Sequence, residues 1–418
     1  MTIARIGSVL LCVAALASTG CAGEPEPAAE STSTSTVFEG ARLITGTDQA
    51  PIENGAFIVD EGRLTWVGMM GDATIPPDAQ RVDLQGKTVI PALIDTHAHL
   101  SQTREALVED LRRRAYYGVG AVVSLGTDAG DLAFQVRDET LPNAARLRTA
   151  GRGITGQEPG RSEVPFWVTS EEEARKAVQE LAAQEVDIVK IWVDDRGGQY
   201  TKLTPAIYGA VIDEAHQNDL TVTAHIFTLE DAKGLLRAGI DAFAHGIRDR
   251  EVDAEVIALF KERPNVTLVP NLPNRGVATD LSWLADSVPA GELQKLQAAA
   301  TDNPDAQKTF AIQATNLERL SNEGVRIGLG TDGNTAWAAH LEMADMVAAG
   351  MTPAEVIVAA TRNSAALLEI QDVGTLEAGK SADFVVLDAN PLDDITNTRR
   401  ISAVYLRGQA VDRDATVD

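Results

Sequence analysis

The middle of the chain alternates short apolar runs with longer amphipathic stretches, and this alternation constrains the fold more than any other feature. Eight runs have the length and composition of buried strands, and the segments between them have a helical pattern. In TSEEEARKAVQELAAQ, for example, Thr169 or Ser170 can serve as the N-cap before an acidic first turn. Regular alternation of strand and helix favours a parallel sheet. Eight such units predict an α/β fold, a (β/α)8 TIM barrel, which we place at residues 91–369. The eight runs are VIPALIDTH, AVVSLGT, ARLRTAGRG, DIVKIWV, TVTAHIF, DAFAHGI, VTLVPNL and VRIGLGTDG.

The sequences on either side of this region have a different pattern, in which short alternating strands are separated by turn residues. FEGARLI, GAFIVDEGRLTWVG and RVDLQGKTVI precede the barrel, and SADFVVLDAN and ISAVYLRGQAV follow it. Turn signals such as Glu61-Gly62 divide these runs as they do in antiparallel sheets. We therefore predict a small β-sandwich domain formed by residues 37–90 together with residues 370–418.

The first residues of the chain have the pattern of an export signal. Arg5 precedes the apolar run IGSVLLCVAALA, which is short for a spanning helix. The run is followed by STGC, which ends at Cys21 and resembles a bacterial lipobox; the alternative is an ordinary cleavage site. We expect residues 1–21 to be a signal peptide and residues 22–36, rich in Pro, Glu, Ser and Thr, to be a flexible linker. The predicted protein is exported and lipid-anchored to a bacterial membrane.

The net charge of the chain limits the classes of molecule that it can bind. A formal net charge of −25 repels the phosphate backbone of nucleic acids and anionic lipid headgroups. We therefore expect a small-molecule substrate, no nucleic acid, and membrane attachment only through the N-terminal anchor, in a homo-oligomer. Both cysteines, Cys12 and Cys21, lie in the predicted signal peptide, so the folded part contains no pair that could form a disulfide.

Four of the six histidines lie at the ends of predicted strands. His97 and His99, in IDTHAHL, are two residues apart, so their side chains face the same side of the strand and can bind one divalent ion. His225, His245 and Asp332 end the fifth, sixth and eighth strands, at the side where barrel active sites are built. Any one of them alone could be a packed residue or a helix cap. Together they predict a metal site, for which zinc is the first choice and iron, manganese or cobalt are alternatives.

Lys190 lies in the middle of the fourth predicted strand, on the same face as Ile188 and Trp192. This position predicts an ammonium group inside the barrel, where an unpaired charge is costly. Burial lowers the pKa of a lysine, and a neutral amine can add carbon dioxide to form a carbamate that bridges two cations. The alternative is that the side chain reaches solvent or pairs with Asp194 or Asp195.

The strand-end histidines, the lysine of the fourth strand and Asp332, taken in their order along the chain, resemble the amidohydrolase superfamily. The resemblance is greatest to its imidazolonepropionase-like and prolidase-like members, which have a binuclear centre. The resemblance extends over nearly the whole chain after the N-terminal segment. It includes the late helix AAGMTPAEVIVAATRNSAALL and the closing segment GTLEAGKSADFVVLD. The residues that match the metal site of the family are His97, His99, Lys190, His225, His245 and Asp332.

The resemblance implies a metal-dependent hydrolase with two divalent ions, zinc in the first place. His97, His99 and Asp332 would hold one ion, His225 and His245 the other, and the carboxylated lysine would bridge them. The implied reaction is cleavage of an amide bond in a dipeptide, an N-acyl amino acid or a related cyclic amide. A metal-activated hydroxide would attack the carbonyl, with Asp332 as general base and His245 orienting the carbonyl oxygen.

Other functions remain open at this point. Carbamates, esters and phosphotriesters suit the same centre, because a fold does not determine its substrate. A deaminase with a single metal ion is another possible enzyme function. Lys190 argues against it, because a site with one metal ion does not need a bridging anion. The alternative from another class is a lipoprotein that binds a small molecule and does no chemistry.

Polar residues in the loops after the strands are candidates for substrate binding. Arginines there suit a substrate carboxylate, although solvated loop charges are common. A histidine just after the eighth-strand loop, next to Glu342 in AAHLEMADM, could contact the substrate or support Asp332, or could simply begin a helix. The candidates are Arg152, Arg161, Arg196, Tyr200 and His340.

Overall fold

The computed structural model describes residues 35–414. The predicted signal peptide, residues 1–21, and all but the last two residues of the predicted linker lie outside the described residues. The chain then enters a set of short strands. These are β1 (Thr36–Leu43), β2 (Ile52–Asp60), β3 (Arg63–Met69), β4 (Gln80–Asp83) and β5 (Thr88–Pro91), with a 3-10 turn at Met70–Asp72.

Parallel strands follow at each of the eight predicted positions. The longer ones, such as β7 and β11 below, are buried along their whole length, as expected for a sheet covered on both faces. Two short strands that the sequence did not predict, β9 and β10, continue the chain after the third barrel strand. The strands are β6 (Leu93–Ala98), β7 (Val119–Ser124), β8 (Arg146–Thr149), β9 (Ile154–Thr155), β10 (Phe166–Trp167), β11 (Val189–Val193), β12 (Val222–Ile226), β13 (Ala242–Phe243), β14 (Thr267–Leu268) and β15 (Arg326–Ile327).

Two seams join these strands into a barrel. Ladder hydrogen bonds connect β6, β7 and β8 in one group and β9 to β15 in another. At one seam the N–H of Thr96 donates to the carbonyl oxygen of Leu329 over 2.9 Å. At the other seam the N–H of Asp187 donates to the carbonyl oxygen of Thr149 over 3.0 Å. The predicted (β/α)8 barrel is therefore confirmed, and the eight predicted strands lie in sequence order around it.

Helices alternate with these strands, and side-chain caps fix where many of them begin. Ser170 accepts a hydrogen bond from the N–H of Glu173, which confirms the predicted N-cap. Thr352 and Glu355 form a capping box. The helices are α1 (Arg104–Tyr116), α2 (Leu132–Arg137), α3 (Glu171–Ala183), α4 (Pro205–Gln217), α5 (Leu229–Ala238), α6 (Ala254–Glu262), α7 (Ala290–Ala299), α8 (Pro304–Asn322), α9 (Ala338–Ala348), α10 (Pro353–Val358) and α11 (Ser364–Leu367). A π-helical turn, Ala359–Asn363, connects the last two, and a 3-10 turn, Ser282–Leu284, precedes α7.

The end of the chain returns to the strands that precede the barrel. After α11 come β16 (Phe384–Leu387), a 3-10 turn at Ile395–Arg399, β17 (Ile401–Leu406) and β18 (Gln409–Ala410). They complete an eight-stranded sheet in the order β18-β17-β16-β5-β1-β2-β3, with β4 paired to β1. Phe57 stacks on Phe38 with ring centroids 4.9 Å apart and meets Phe384 edge-on at 4.9 Å. The two ends of the chain therefore share one β domain, as the sequence predicts, although its strands form a single hydrogen-bonded sheet, and they also share an aromatic core.

Candidate metal centre

The predicted metal ligands lie together at the carboxyl ends of the barrel strands. His97 is the fifth residue of the six-residue strand β6, and His225 is the fourth residue of β12. His245 follows β13 by two residues, and Asp332 follows β15 by five. These strands run in the same direction around one barrel, so residues more than 200 positions apart meet at a single face.

Three of these residues form a compact set of ligand atoms. The donor atoms of His97, His245 and Asp332 all lie within 4.8 Å of one another. The Nε2 atom of His97 is 3.2 Å from Oδ1 of Asp332, and Nε2 of His245 is 3.6 Å from Oδ2. The two histidine side chains are 1% and 3% exposed, whereas that of Asp332 is 41% exposed. The set is therefore buried on the protein side and open on one side to solvent.

A buried nitrogen of His245 supports metal binding by this set. Its Nε2 atom is shielded from solvent and has no hydrogen-bond partner within residues 35–414. Such an unsatisfied group costs about 1–3 kcal/mol. Burial, reinforced by the repulsion that a second protonated imidazole at His225 would cause, holds the pKa of His245 well below its usual value, so the imidazole is neutral. Two neutral imidazoles and a carboxylate are a donor set that fits zinc or a similar divalent ion.

The surroundings of His97 orient its ring. Its Nδ1 atom lies 3.1 Å from the carbonyl oxygen of Ala244 and 2.7 Å from the amide nitrogen of Asn271. A proton on Nδ1 that is donated to Ala244 leaves the lone pair of Nε2 facing Asp332, as a metal ligand requires, and in this tautomer Nδ1 accepts no hydrogen bond from Asn271. A Cβ at Gly330 would lie only 2.8 Å from the Cβ of His97. A glycine at that position is therefore needed for the imidazole to fit.

His99 and Asp332 form the open side of the centre. The Nε2 atom of His99 is 3.2 Å from Oδ1 of Asp332, and its Nδ1 atom is 3.2 Å from the hydroxyl of Thr127. Burial opposes ionisation of Asp332, but the hydrogen bond from His99 and the nearby His97 and Lys190 hold its pKa well below the usual range. Asp332 also has a φ of 50°, a left-handed conformation that is unusual for a residue other than glycine. Such strain is common at functional sites.

Lys190 lies inside the barrel, as predicted. It is fully buried, and its Nζ atom is 3.4 Å from Nε2 of His97. Burial lowers the pKa of Lys190 to about 7. The space for this side chain depends on small neighbours: a Cβ at Gly126 would lie 2.9 Å from Cγ of Lys190, and one at Gly153 would overlap the Trp192 ring. The site therefore holds a lysine of which a substantial fraction, about half, is neutral near pH 7.

His225 has polar neighbours of its own. Its Nε2 atom lies 2.9 Å from Oδ2 of Asp194, 2.8 Å from Nη1 of Arg196 and 3.1 Å from Nη2 of Arg248. Burial lowers the pKa of His225 to about 3. The ring stays close to His245, with centroids 4.4 Å apart. The sequence predicted His225 as a metal ligand, and the structure places it beside the three-residue set with a carboxylate and two guanidinium groups around it.

The candidates for substrate binding occupy different places. Of the five, Arg196 alone lies within hydrogen-bond distance of a metal-site histidine in the described part of the chain. Arg161 pairs with the buried Glu158, which also bonds to Arg196. Arg152 donates to the carbonyl oxygen of Val164 and stacks 3.8 Å over the ring of Phe166. The hydroxyl of Tyr200 donates to the carbonyl oxygen of Pro159.

His340 does not contact the metal site, and the predicted role in substrate binding or support of Asp332 needs correction. It is buried between the end of α1 and the 3-10 turn before β17. Nε2 lies 2.9 Å from the carbonyl oxygen of Tyr117, and Nδ1 lies 3.1 Å from the hydroxyl of Thr398. Glu342, its neighbour, accepts from the N–H of Leu272. His340 therefore connects packed elements.

Sequence reasoning missed several residues of the site. The side-chain amide of Asn271 contacts His97, and the guanidinium of Arg248 contacts His225. Glu158 accepts a hydrogen bond from Arg196. Asp194 was considered only as a partner of Lys190, whereas it contacts His225. A signal was available for Asn271, which follows the seventh strand at the same barrel face as the ligands. The partners of arginines in long loops have no comparable signal.

Fold and site together define a (β/α)8-barrel hydrolase. The sequence profile described as "Amidohydrolase family" matches residues 88–411. The chain belongs to the amidohydrolase family, as its strand-end motifs predicted. Among similar proteins, the imidazolonepropionase of Streptomyces avermitilis is 27% identical over 360 residues, which are 81% of this chain and 81% of that protein.

Solved structures of the same fold agree with this assignment. A structure described as a putative prolidase from Bifidobacterium longum has a TM-score of 0.75 and 27% identity, and the match covers 92% of this chain and 98% of that one. A Xaa-Pro dipeptidase with bound methionine has a TM-score of 0.73 at 22% identity, with 90% and 99% covered. At that identity the second likeness supports the fold alone.

The prediction of an exported, lipid-anchored protein is wrong. The relatives that match most of the chain are imidazolonepropionases, and nothing in the comparisons indicates a signal peptide or a lipid anchor. The prediction depended on a short apolar run and an imperfect lipobox ending at Cys21, which lie outside the described residues. Within residues 35–414, no helix has both the length and the apolar character to cross a membrane.

Proposed function

We propose that the protein is a metal-dependent hydrolase that cleaves an amide bond in a small substrate, such as a dipeptide, an N-acyl amino acid or a cyclic amide. The observation that carries this proposal is the buried, unpartnered Nε2 of His245, which faces Asp332 within a cluster of neutral imidazoles. The relatives named imidazolonepropionase and prolidase support carbon–nitrogen bond cleavage.

The residues that would hold metal are those of the compact set and their neighbours. His97, His245 and Asp332 supply the first ligands, with His99 and His225 beside them. We propose two ions, zinc in the first place. When bound, the metal would polarise the scissile carbonyl and lower the pKa of a water molecule.

Lys190 contributes an anionic ligand in this proposal. Its pKa of about 7 leaves a large neutral fraction near neutral pH. The neutral amine attacks the carbon of carbon dioxide, a C–N bond forms, and the released proton passes to solvent. The product is a carbamate whose oxygens replace a buried positive charge by a negative one, which suits a site with neutral imidazoles nearby.

Asp332 acts as the general base. Its low pKa keeps it ionised, and its exposed fraction lets a water molecule and a substrate reach it. It accepts a proton from the attacking water and delivers that proton to the nitrogen of the leaving amine. The close contact with His99 holds the carboxylate in position for both transfers.

The proposal is tested by incubating the protein, loaded with zinc or manganese, with a library of N-acyl amino acids, dipeptides and cyclic amides. We expect the native protein to release a free amine from members of this library. The Asp332→Asn variant should lose turnover by about 10²–10⁴-fold, the usual contribution of a general base.

The control is His340→Leu, which alters a buried histidine away from the site and should retain turnover while it remains folded. Full activity of Asp332→Asn would remove that residue from the proposed mechanism. No hydrolysis of any amide by the metal-loaded protein, with ligand binding intact, would favour a binding protein. Hydrolysis of esters or phosphotriesters alone would replace the substrate class.

A further inference from the structure

Two arginines from neighbouring loops bracket His225 at the mouth of the barrel. Arg196 follows β11 and Arg248 follows β13, while His225 lies at the end of the strand between them. Their guanidinium nitrogens lie 2.8 Å and 3.1 Å from the same imidazole nitrogen. Two positive groups therefore converge next to the proposed reaction centre.

The charges of the two arginines are not balanced equally. Arg196 forms ion pairs with Asp194 at 2.8 Å and with Glu158 at 3.2 Å. Arg248 donates to the carbonyl oxygen of Ile226, and no carboxylate of residues 35–414 lies within 4.0 Å of its guanidinium. Arg248 is thus a half-buried cation with no directly paired carboxylate in this part of the chain, although the charges of Asp194 and Asp332 act on it from farther away. A buried charge of this kind is costly unless a ligand pairs with it.

Both guanidinium groups also retain unused donors. Nη2 of Arg196 and Nε of Arg248 are buried and lack hydrogen-bond partners among the described residues. A guanidinium binds carboxylates through two parallel hydrogen bonds, so an anionic ligand would satisfy donors that the protein leaves open. The arrangement favours an anion over a neutral polar group.

An exposed aromatic side chain lies next to this pair. Phe227 is 43% exposed, which is unusual for a large hydrophobic residue, and Arg248 lies over its ring at 5.2 Å. Phe227 directly follows β12, at the same end of the barrel as the metal-site residues. It offers an apolar surface for a side chain attached close to a carboxylate.

We propose that Arg248, with Arg196 beside it, binds the carboxylate of the substrate and that Phe227 contacts the adjoining apolar side chain. This inference rests on the proposed function and narrows its substrates to N-acyl amino acids or dipeptides with an apolar residue at the carboxylate end. Arg248 is the main anchor because no carboxylate within residues 35–414 pairs with it directly, whereas Arg196 already forms two ion pairs and acts as a positioning residue.

The test uses two probes that contain no amide, 3-phenylpropanoate and the uncharged 3-phenylpropan-1-ol, with calorimetry on the zinc-loaded protein. We expect the carboxylate to bind more tightly than the alcohol. In Arg248→Met its affinity should fall roughly 10- to 100-fold, as expected for lost hydrogen bonds to a charged group, while binding of the alcohol changes little. Arg248→Lys, which keeps the charge but not the fork of donors, should recover part of the loss.

Arg250→Met is the matched control. It removes the same charge from the same loop, but Arg250 is 62% exposed and pairs with Asp249. Carboxylate affinity that is unchanged in both Arg248 variants, or lost equally in Arg250→Met, would overturn the proposal. Tighter binding of inorganic phosphate than of the carboxylate would also overturn it. Because neither organic probe can be hydrolysed, these outcomes are independent of whether the amide library is cleaved.

Discussion

Two buried histidines, one in the candidate metal site and one in the helical wall, show how a candidate metal ligand differs from a residue that only packs. His245 and His340 are each 2% exposed, and burial holds the pKa of both below the ordinary value. They differ in their hydrogen bonds. Both ring nitrogens of His340 have partners, Tyr117 and Thr398, whereas Nε2 of His245 has none in residues 35–414.

This difference has a physical meaning. A fully paired histidine stabilises the fold, since its polar atoms have partners that replace water. An unpaired buried nitrogen destabilises the metal-free fold, and the free energy is recovered when a ligand binds. Burial and a lowered pKa alone therefore do not distinguish the two residues, whereas the unused lone pair of His245 beside Asp332 supports its proposed role as a metal ligand.

The largest expected effect that separates the two residues concerns metal affinity. We expect His245→Leu to lower the affinity for zinc by more than about 100-fold, because loss of a group that only supports a ligand already costs about 10–100-fold. His340→Leu should leave the affinity nearly unchanged. Competition with a chelator of known affinity measures both values. Equal losses in the two variants would erase the distinction between the residues.

The second effect concerns the stability of the metal-free protein. Here His340→Leu should have the larger effect and His245→Leu the smaller one. His340→Leu leaves the buried carbonyl oxygen of Tyr117 without its donor, so the free energy of unfolding should fall by about 1–3 kcal/mol. His245→Leu removes an unsatisfied atom and should leave the stability unchanged or raise it. Urea unfolding after metal removal tests this order. A larger loss in His245→Leu would mean that His245 has a structural partner in solution.

The sequence predicted His245 as a metal ligand at a strand end and His340 as a substrate-contact candidate just after the eighth-strand loop, but it could not show which of the two has hydrogen-bond partners. Tyr117 is 223 positions before His340, and Thr398 is 58 positions after it, so neither partner is visible in the local pattern. The barrel strands could be predicted because apolar periodicity is a local property. The clustering of the candidate metal ligands could be predicted because the ends of parallel strands meet at one face.

Other features depend on long-range contacts and were missed for that reason. Arg248 directly follows the sixth predicted strand and Asn271 lies within the seventh, but only the fold shows that they lie beside His225 and His97. The eight-stranded order of the β domain, which joins β5 to β16, likewise follows from tertiary pairing. The N-terminal segment misled the prediction of localisation, because a short apolar run before a cysteine is a weak pattern.

The smallest expected effect is a dependence on pH that isolates His340. Its pKa is about 4 in the folded protein, against 6.5 for an ordinary histidine, because burial disfavours the charged form. Since the folded-state pKa is the lower one, the unfolded chain binds more protons between these values. The stability that the neutral histidine contributes is complete above pH 6.5 and is lost as the pH falls towards 4. Between pH 7.5 and pH 5 the loss should be about 1–2 kcal/mol.

Urea unfolding of the native protein and of His340→Leu at both pH values isolates this contribution, since the other buried histidines titrate alike in both proteins. The destabilisation caused by His340→Leu should therefore be smaller at pH 5 than at pH 7.5. A destabilisation that grows as the pH falls would require His340 to be charged in the folded state. That result would mean that His340 stabilises the fold as a cation, as an ion-paired residue does. The difference between His340 and His245 would then not be explained by hydrogen bonds of neutral imidazoles.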